Sequence, residues 1–137
     1  MIGIVIATHS QLGDALIDTA EFIIGKRPET TVSVSMNLHE DVDKLREKMV
    51  KGIKAVNQNA GVLILTDMFG GTPSNLSYSF LEEGRVEVIS GVNLPMLVKA
   101  LDSREKTELS QLAAELEAFG KKSISLASGI LKGNKQK

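Results

Sequence analysis

The run Ile2-Gly3-Ile4-Val5-Ile6-Ala7 contains no polar side chain to alternate with its apolar ones. A strand with one face in water alternates, whereas a strand covered on both faces does not. The segment therefore reads as a buried strand of a parallel sheet. Leu12, Ala15, Leu16, Ala20 and Ile23 follow at helical spacing, with Gly25 as the stop. That sequence of elements commits the chain to strand-helix units with helices covering the sheet.

The same grammar continues. Residues Thr31 to Met36 alternate, as expected of a second strand with one less buried face. Val42, Leu45, Met49, Ile53 and Val56 form the stripe of a helix from about Glu40 to Gln58. Val62-Leu63-Ile64-Leu65 is another unbroken apolar strand. Thr72-Pro73 reads as a hydroxyl N-cap with proline in the first helical position. Leu76, Phe80 and Leu81 supply that helix's core face, and Gly84 ends it. A fourth strand covers Val86 to Ile89, and helices are predicted from Pro95 to Asp102 and from Glu108 to Phe119. The alternation in Ser123-Ile124-Ser125-Leu126-Ala127 predicts a short last strand, and 129–137 reads as a flexible tail.

Strands joined by single helices lie parallel with right-handed crossovers. The simplest result is one three-layer α/β domain over residues 1–128, with strand order 2-1-3-4. Strands 1 and 3 then flank the topological switch point, beyond whose carboxyl ends open α/β sheets bind ligands. Thr8-His9-Ser10 ends the first strand, and Thr66-Asp67-Met68-Phe69-Gly70-Gly71-Thr72-Pro73 ends the third. His9 and Asp67 are thereby brought together by topology as well as by residue type.

A histidine that carries a phosphoryl group needs one free ring nitrogen and the other protonated against an acceptor. His9 supplies the imidazole and Asp67 the acceptor. Gly70 and Gly71 allow close backbone approach, the helix at Thr72-Pro73 offers amides, and Thr8 and Thr72 offer hydroxyls for the phosphoryl oxygens. This chemistry calls for no metal and no cofactor. No Walker-type nucleotide loop is present, which argues against bound ATP as the donor. His39, in Asn-Leu-His-Glu-Asp, reads as a surface residue. Lys44, Arg46, Lys48 and Lys51 read as a solvated face, with Arg46 and Lys48 near any partner, and the five methionines as packing.

Composition narrows the classes further. A net charge of −1 over 137 residues and 4% aromatic content argue against nucleic-acid binding. Without cysteine there is no disulfide, thiolate nucleophile or thiolate metal site. No apolar run approaches the roughly 20 residues of a membrane span, and no basic n-region opens the chain, so a cytoplasmic location is expected.

Three segments together resemble the IIA domain of the mannose family of the phosphoenolpyruvate-dependent sugar phosphotransferase system. They are Ile4-Val5-Ile6-Ala7-Thr8-His9-Ser10, the stretch Leu65 to Asn75, and Gly91-Val92-Asn93-Leu94-Pro95-Met96. The resemblance implies that His9 takes phosphate from the phosphocarrier HPr on Nε2 and passes it to a IIB component. That component serves sugar uptake through membrane IIC and IID components. In the same family Asp67 orients the ring through Nδ1, and Gly70, Gly71 and Thr72 match the phosphate-binding segment. The family also forms homodimers in which a C-terminal strand, here 123–127, pairs with the partner's sheet. Many members continue into a IIB domain, whereas this sequence runs to Lys137. A separate subunit or a regulatory relay is therefore expected. A phosphotransfer subunit for dihydroxyacetone kinase shares the chemistry. Two other classes fit less well: a hydrolase using Ser10 or Thr72 with His9 and Asp67 lacks a Gly-x-Ser-x-Gly elbow, and a flavin module lacks stacking aromatics.

Overall fold

A computed structural model of the protein describes residues 1–37 and 39–133. Its strands are β1 (Gly3–His9), β2 (Thr31–Met36), β3 (Val62–Thr66) and β4 (Val86–Ser90). They form one parallel sheet in the order β2-β1-β3-β4, as the crossover rule predicts. Six helices are described: α1 (Leu12–Ile24), α2 (Val42–Val56), α3 (Thr72–Tyr78), α4 (Leu94–Ser103), α5 (Leu109–Lys122) and α6 (Ala127–Gly133).

The unbroken apolar run of β1 serves two cores at once. Ile4 and Ile6 pack with α1, α4 and α5 on one face, through Ile17, Leu97 and Leu116 among others. Val5 and Ala7 face the other way, against Leu45, Met49 and Val56 of α2 and Leu76 of α3. Each fully buried Ile or Leu contributes about 1.5–3 kcal/mol, so the layers hold the strand ends rigidly in register. His9 is itself the last residue of β1 and pairs with Met36, while Ala7 pairs with Thr66. Asp67 is the next residue after β3, so the register alone sets its backbone beside the end of β1.

Several elements differ from the sequence reading. Leu12 and Val42, the first residues of α1 and α2, are exposed rather than part of the buried stripes. Ile23, near the other end of α1, is exposed as well. α3 ends at Tyr78, well before Gly84. Ser79, Phe80 and Leu81 each donate to the carbonyl three residues back, a tightening that closes the helix and leaves Leu81 exposed. Gly25 ends α1 as expected, in the left-handed conformation at φ +86.

The last strand expected over 123–127 is not formed. Ser123 caps α5, residues 124–126 have no regular structure, and α6 begins at Ala127. An alternating pentapeptide gains strand hydrogen bonds only by joining a sheet edge, and within this chain it joins none. Residues 129–133, expected in a flexible tail, belong to α6, and 134–137 lie outside the described residues. Among the described residues no helix is long and apolar enough to cross a membrane.

Candidate functional site

The site grows from a local accident of the backbone at the end of β1. Ser10 turns the chain with φ +53, a left-handed conformation uncommon for a residue with a side chain. Its amide still donates to Met36 O, so the strand is secured up to the turn. The turn leaves the His9 side chain half exposed, at 49%.

Asp67 meets it from β3. Its Oδ2 accepts from His9 Nδ1 at 2.8 Å and from the His9 backbone amide at 3.0 Å. Its Oδ1 accepts from the Met68 amide at 3.0 Å. Three N–H groups thus converge on one carboxylate, whose side chain is only 12% exposed. A carboxylate against Nδ1 selects the tautomer protonated there and leaves Nε2 as the bare, nucleophilic nitrogen.

The glycine turn closes the other edge of the ring. A Cβ placed on Gly71 would stand 2.7 Å from His9 Cε1 and 3.1 Å from Nε2, so only glycine leaves the imidazole in place. Gly70 adopts φ +90 for the turn itself. Its amide is already given to Ser74 Oγ at 2.9 Å, so the donors left at this turn are the amides of Gly71 and Thr72. Thr72 lines a cavity of about 530 Å³ together with His9, Ser10, Met36, Asn37, Glu40, Val42 and Leu45.

Two hydroxyls fall elsewhere than the sequence reading put them. Thr8 is fully buried, and its Oγ1 accepts from the Gly13 amide at 2.9 Å. It caps the first turn of α1, where Gln11 at the N-cap makes no side-chain capping bond, and it does not line the cavity beside His9. Thr72 is the first residue of α3 and Gly71 the N-cap, so the Thr72 hydroxyl is not spent on capping. Ser10 Oγ donates to Gln11 Oε1 at 2.7 Å, which removes the serine–histidine bond that a hydrolase triad requires.

The third motif, Gly91 to Met96, is structural. Asn93 caps α4 by accepting from the Met96 amide, and its Nδ2 donates to Gly120 O of α5. Lys48 and Arg46 are likewise more engaged than a solvated face suggests. Lys48 Nζ binds Ser35 O and the Glu40 carboxylate, each at about 2.8 Å, and Arg46 lies over the Phe80 ring. The Lys48 ammonium, aided by the Asn37 amide, holds the Glu40 carboxyl below its ordinary pKa. His39 is exposed.

Sequence reasoning missed the supports of the Asp67 loop. The Thr66 hydroxyl donates to Ser90 Oγ, which pairs with Tyr78 OH at 2.9 Å, and Thr66 O accepts from the Gly91 and Val92 amides. Tyr78 in turn packs against Phe69. Isolated serines and a tyrosine carry no spacing signal of their own, so only the fold exposes this network. Among the described residues no cluster of His, Asp or Glu has the arrangement of a metal site.

The family model described as "PTS system fructose IIA component", EIIA-man, matches residues 3–117. The chain belongs to that family. It is a mannose-type IIA component of the phosphotransferase system, the class of protein that hands on phosphate in sugar uptake. It is 33% identical over 129 residues to the fructose-specific EIIA component of Bacillus subtilis, covering 93% of this chain and 88% of that protein. It is 35% identical over 128 residues to the mannose-specific EIIAB component of Escherichia coli K12, covering 90% of this chain but only 39% of that protein. A solved EIIA component from Streptococcus agalactiae superposes with a TM-score of 0.83 at 26% identity, over 93% of this chain and 98% of that one. The expected three-layer α/β fold with four parallel strands in the order 2-1-3-4 is the one observed, without the C-terminal edge strand.

Proposed function

We propose that His9 is the phosphoryl acceptor and donor of this IIA component. The observation that carries the reading is the Asp67 Oδ2–His9 Nδ1 contact of 2.8 Å, which engages one ring nitrogen and leaves Nε2 free on a residue that lines the cavity. The Nε2 lone pair attacks the phosphorus of a phosphohistidine on an HPr-type carrier. The new P–N bond forms as the old one breaks, and the carrier's imidazole leaves with its electron pair. Each imidazole keeps the proton on its other nitrogen, so no proton changes hands. Asp67 holds that proton and its charge balances the ring, while the amides of Gly71 and Thr72 and the Thr72 hydroxyl receive the equatorial oxygens. No metal or nucleotide is needed, because phosphohistidine is already activated.

Met68 and Phe69 present exposed apolar surface at the rim, Phe69 at 75%, which suits a protein donor better than a free metabolite. The second transfer goes to a IIB component, reached in the cytoplasm, and that component reads the sugar with its membrane partners. The homodimer implied by the family draws support from Ile124 and Leu126. They are 78% and 75% exposed, and Ile124 lines a groove with Glu87 to Gly91 along β4.

Incubation with phosphoenolpyruvate, enzyme I and HPr, followed by site mapping under basic conditions, tests the reading. One acid-labile phosphoryl group on His9, absent from His9→Ala, is expected. Label on His39, or label that persists in His9→Ala, contradicts it.

A further inference from the structure

Asp67 fixes one side of the imidazole; the other side is fixed by a residue that the chemistry does not touch. Ser74 is fully buried in the first turn of α3. Its hydroxyl accepts from the Gly70 amide at 2.9 Å and donates to Gly71 O at 3.1 Å. One side chain therefore ties both ends of the short loop whose second residue walls the His9 ring. Gly70 has few other tethers among the described residues: beyond its chain neighbours no atom lies within 4 Å of where its Cβ would be, and Asn75 Nδ2 reaches Gly70 O only at 3.4 Å.

We propose that Ser74 is a positioning residue for transfer at His9, holding Gly71 against the Cε1–Nε2 edge so that the ring cannot leave Asp67. The proposal rests on the phosphoryl-transfer reading. Removal of the hydroxyl leaves the Gly70 amide without its partner and Gly71 O with the Asn75 amide alone, and the Gly70 end of the loop then relaxes outward to find water. The imidazole gains room on the side opposite Asp67. A displacement of this order is felt at the reacting atom, because transfer depends on alignment of the attacking nitrogen with the phosphorus.

The same helix provides the comparison. Ser77 is also fully buried, but its Oγ has no hydrogen-bond partner among the described residues. Ser77→Ala thus alters packing in α3 to a similar degree without touching the loop.

The test compares wild type, Ser74→Ala, Ser74→Thr and Ser77→Ala by two measurements. The first is single-turnover transfer from phosphorylated HPr across donor concentrations. The second is long-range proton–nitrogen NMR of the His9 ring, which reads the share of Nδ1-protonated tautomer without any phosphoryl group. Ser74→Ala is expected to lower the saturating rate about tenfold. Its half-saturating donor concentration stays unchanged and its ring nitrogens average toward a mixed tautomer. Ser77→Ala and Ser74→Thr, which keeps the hydroxyl, behave as wild type. If Ser74→Ala does not fold, Ser74→Cys, of similar size with a weaker donor, is read in its place. Wild-type rate and tautomer in Ser74→Ala, or an equal loss in Ser77→Ala, overturn the proposal. A wild-type protein that takes no phosphoryl group sinks the functional reading instead, and the tautomer measurement still decides Ser74.

Discussion

A single oxygen, Oδ2 of Asp67, holds His9 by both its backbone amide and its ring, at 3.0 and 2.8 Å. The carboxylate therefore locks the end of β1 and the orientation of the imidazole in one contact. Sequence order alone separates the two residues widely; the parallel pairing of β1 with β3 makes them neighbours.

Asp67→Asn tests that contact. The amide keeps the shape but loses the charge that favours a protonated Nδ1, and it offers one acceptor where three N–H groups converge. Phosphotransfer is expected to slow by about 10²-fold or more, by analogy with tautomer-fixing carboxylates elsewhere, in a protein with an unchanged circular dichroism spectrum. Wild-type rates in this variant contradict the orienting role.

Gly71 and Gly70 should respond in opposite ways to the same substitution. Gly71 has φ −89, which any residue adopts, yet a Cβ there collides with the ring. Gly71→Ala is expected to fold normally and lose transfer. Gly70 sits at φ +90 in open space, so Gly70→Ala is expected to cost about 1 kcal/mol of stability while retaining most transfer. Denaturant melts alongside transfer rates separate the two. The reverse pattern contradicts the placement of the turn.

Glu40 and Lys48 give the cavity wall a pH-dependent brace. Lys48 first, and the Asn37 amide second, hold the Glu40 carboxyl below its usual pKa. A depressed folded-state value stabilises the protein above the unfolded pKa, and this is lost as pH falls through the folded one. Lys48→Met is expected to be less stable than wild type at neutral pH. The gap narrows as pH drops below the usual carboxylate range near about 4, with a remainder from the lost Ser35 contact. A gap that widens toward acid in denaturation curves contradicts the pairing.

Much of the layout was legible because it rests on hydrophobic periodicity. The unbroken runs of β1 and β3 demanded burial on both faces, and the crossover rule then set the strand order and put His9 beside Asp67. Residues whose role depends on what arrives from elsewhere in the chain were not legible. Thr8 looked like a phosphate donor because it precedes His9, but the amide of Gly13 returns over it and takes its hydroxyl. Thr72 looked like an N-cap because proline follows, yet Ser74 supplies the loop's hydrogen bonds. The alternation of 123–127 spelled a strand, but a strand needs a partner edge, and within one chain Ile124 and Leu126 remain exposed.

Those two residues make the assembly testable. Ending the chain after Ser123 leaves α5 and its Asn93–Gly120 tie intact and removes Ile124, Leu126 and α6. Sedimentation is expected to show a dimer for the full chain and a monomer for the shortened protein. An unaltered dimer means that the interface lies elsewhere.

The most direct test is the position of the phosphoryl group on the ring. Phosphorylation of nitrogen-15-labelled protein through enzyme I and HPr, read by proton–nitrogen and phosphorus NMR, resolves which imidazole nitrogen carries it. The Asp67–His9 geometry predicts phosphorus coupled to Nε2 of His9, with Nδ1 still protonated. Phosphorus coupled to Nδ1, or to any other residue, contradicts it.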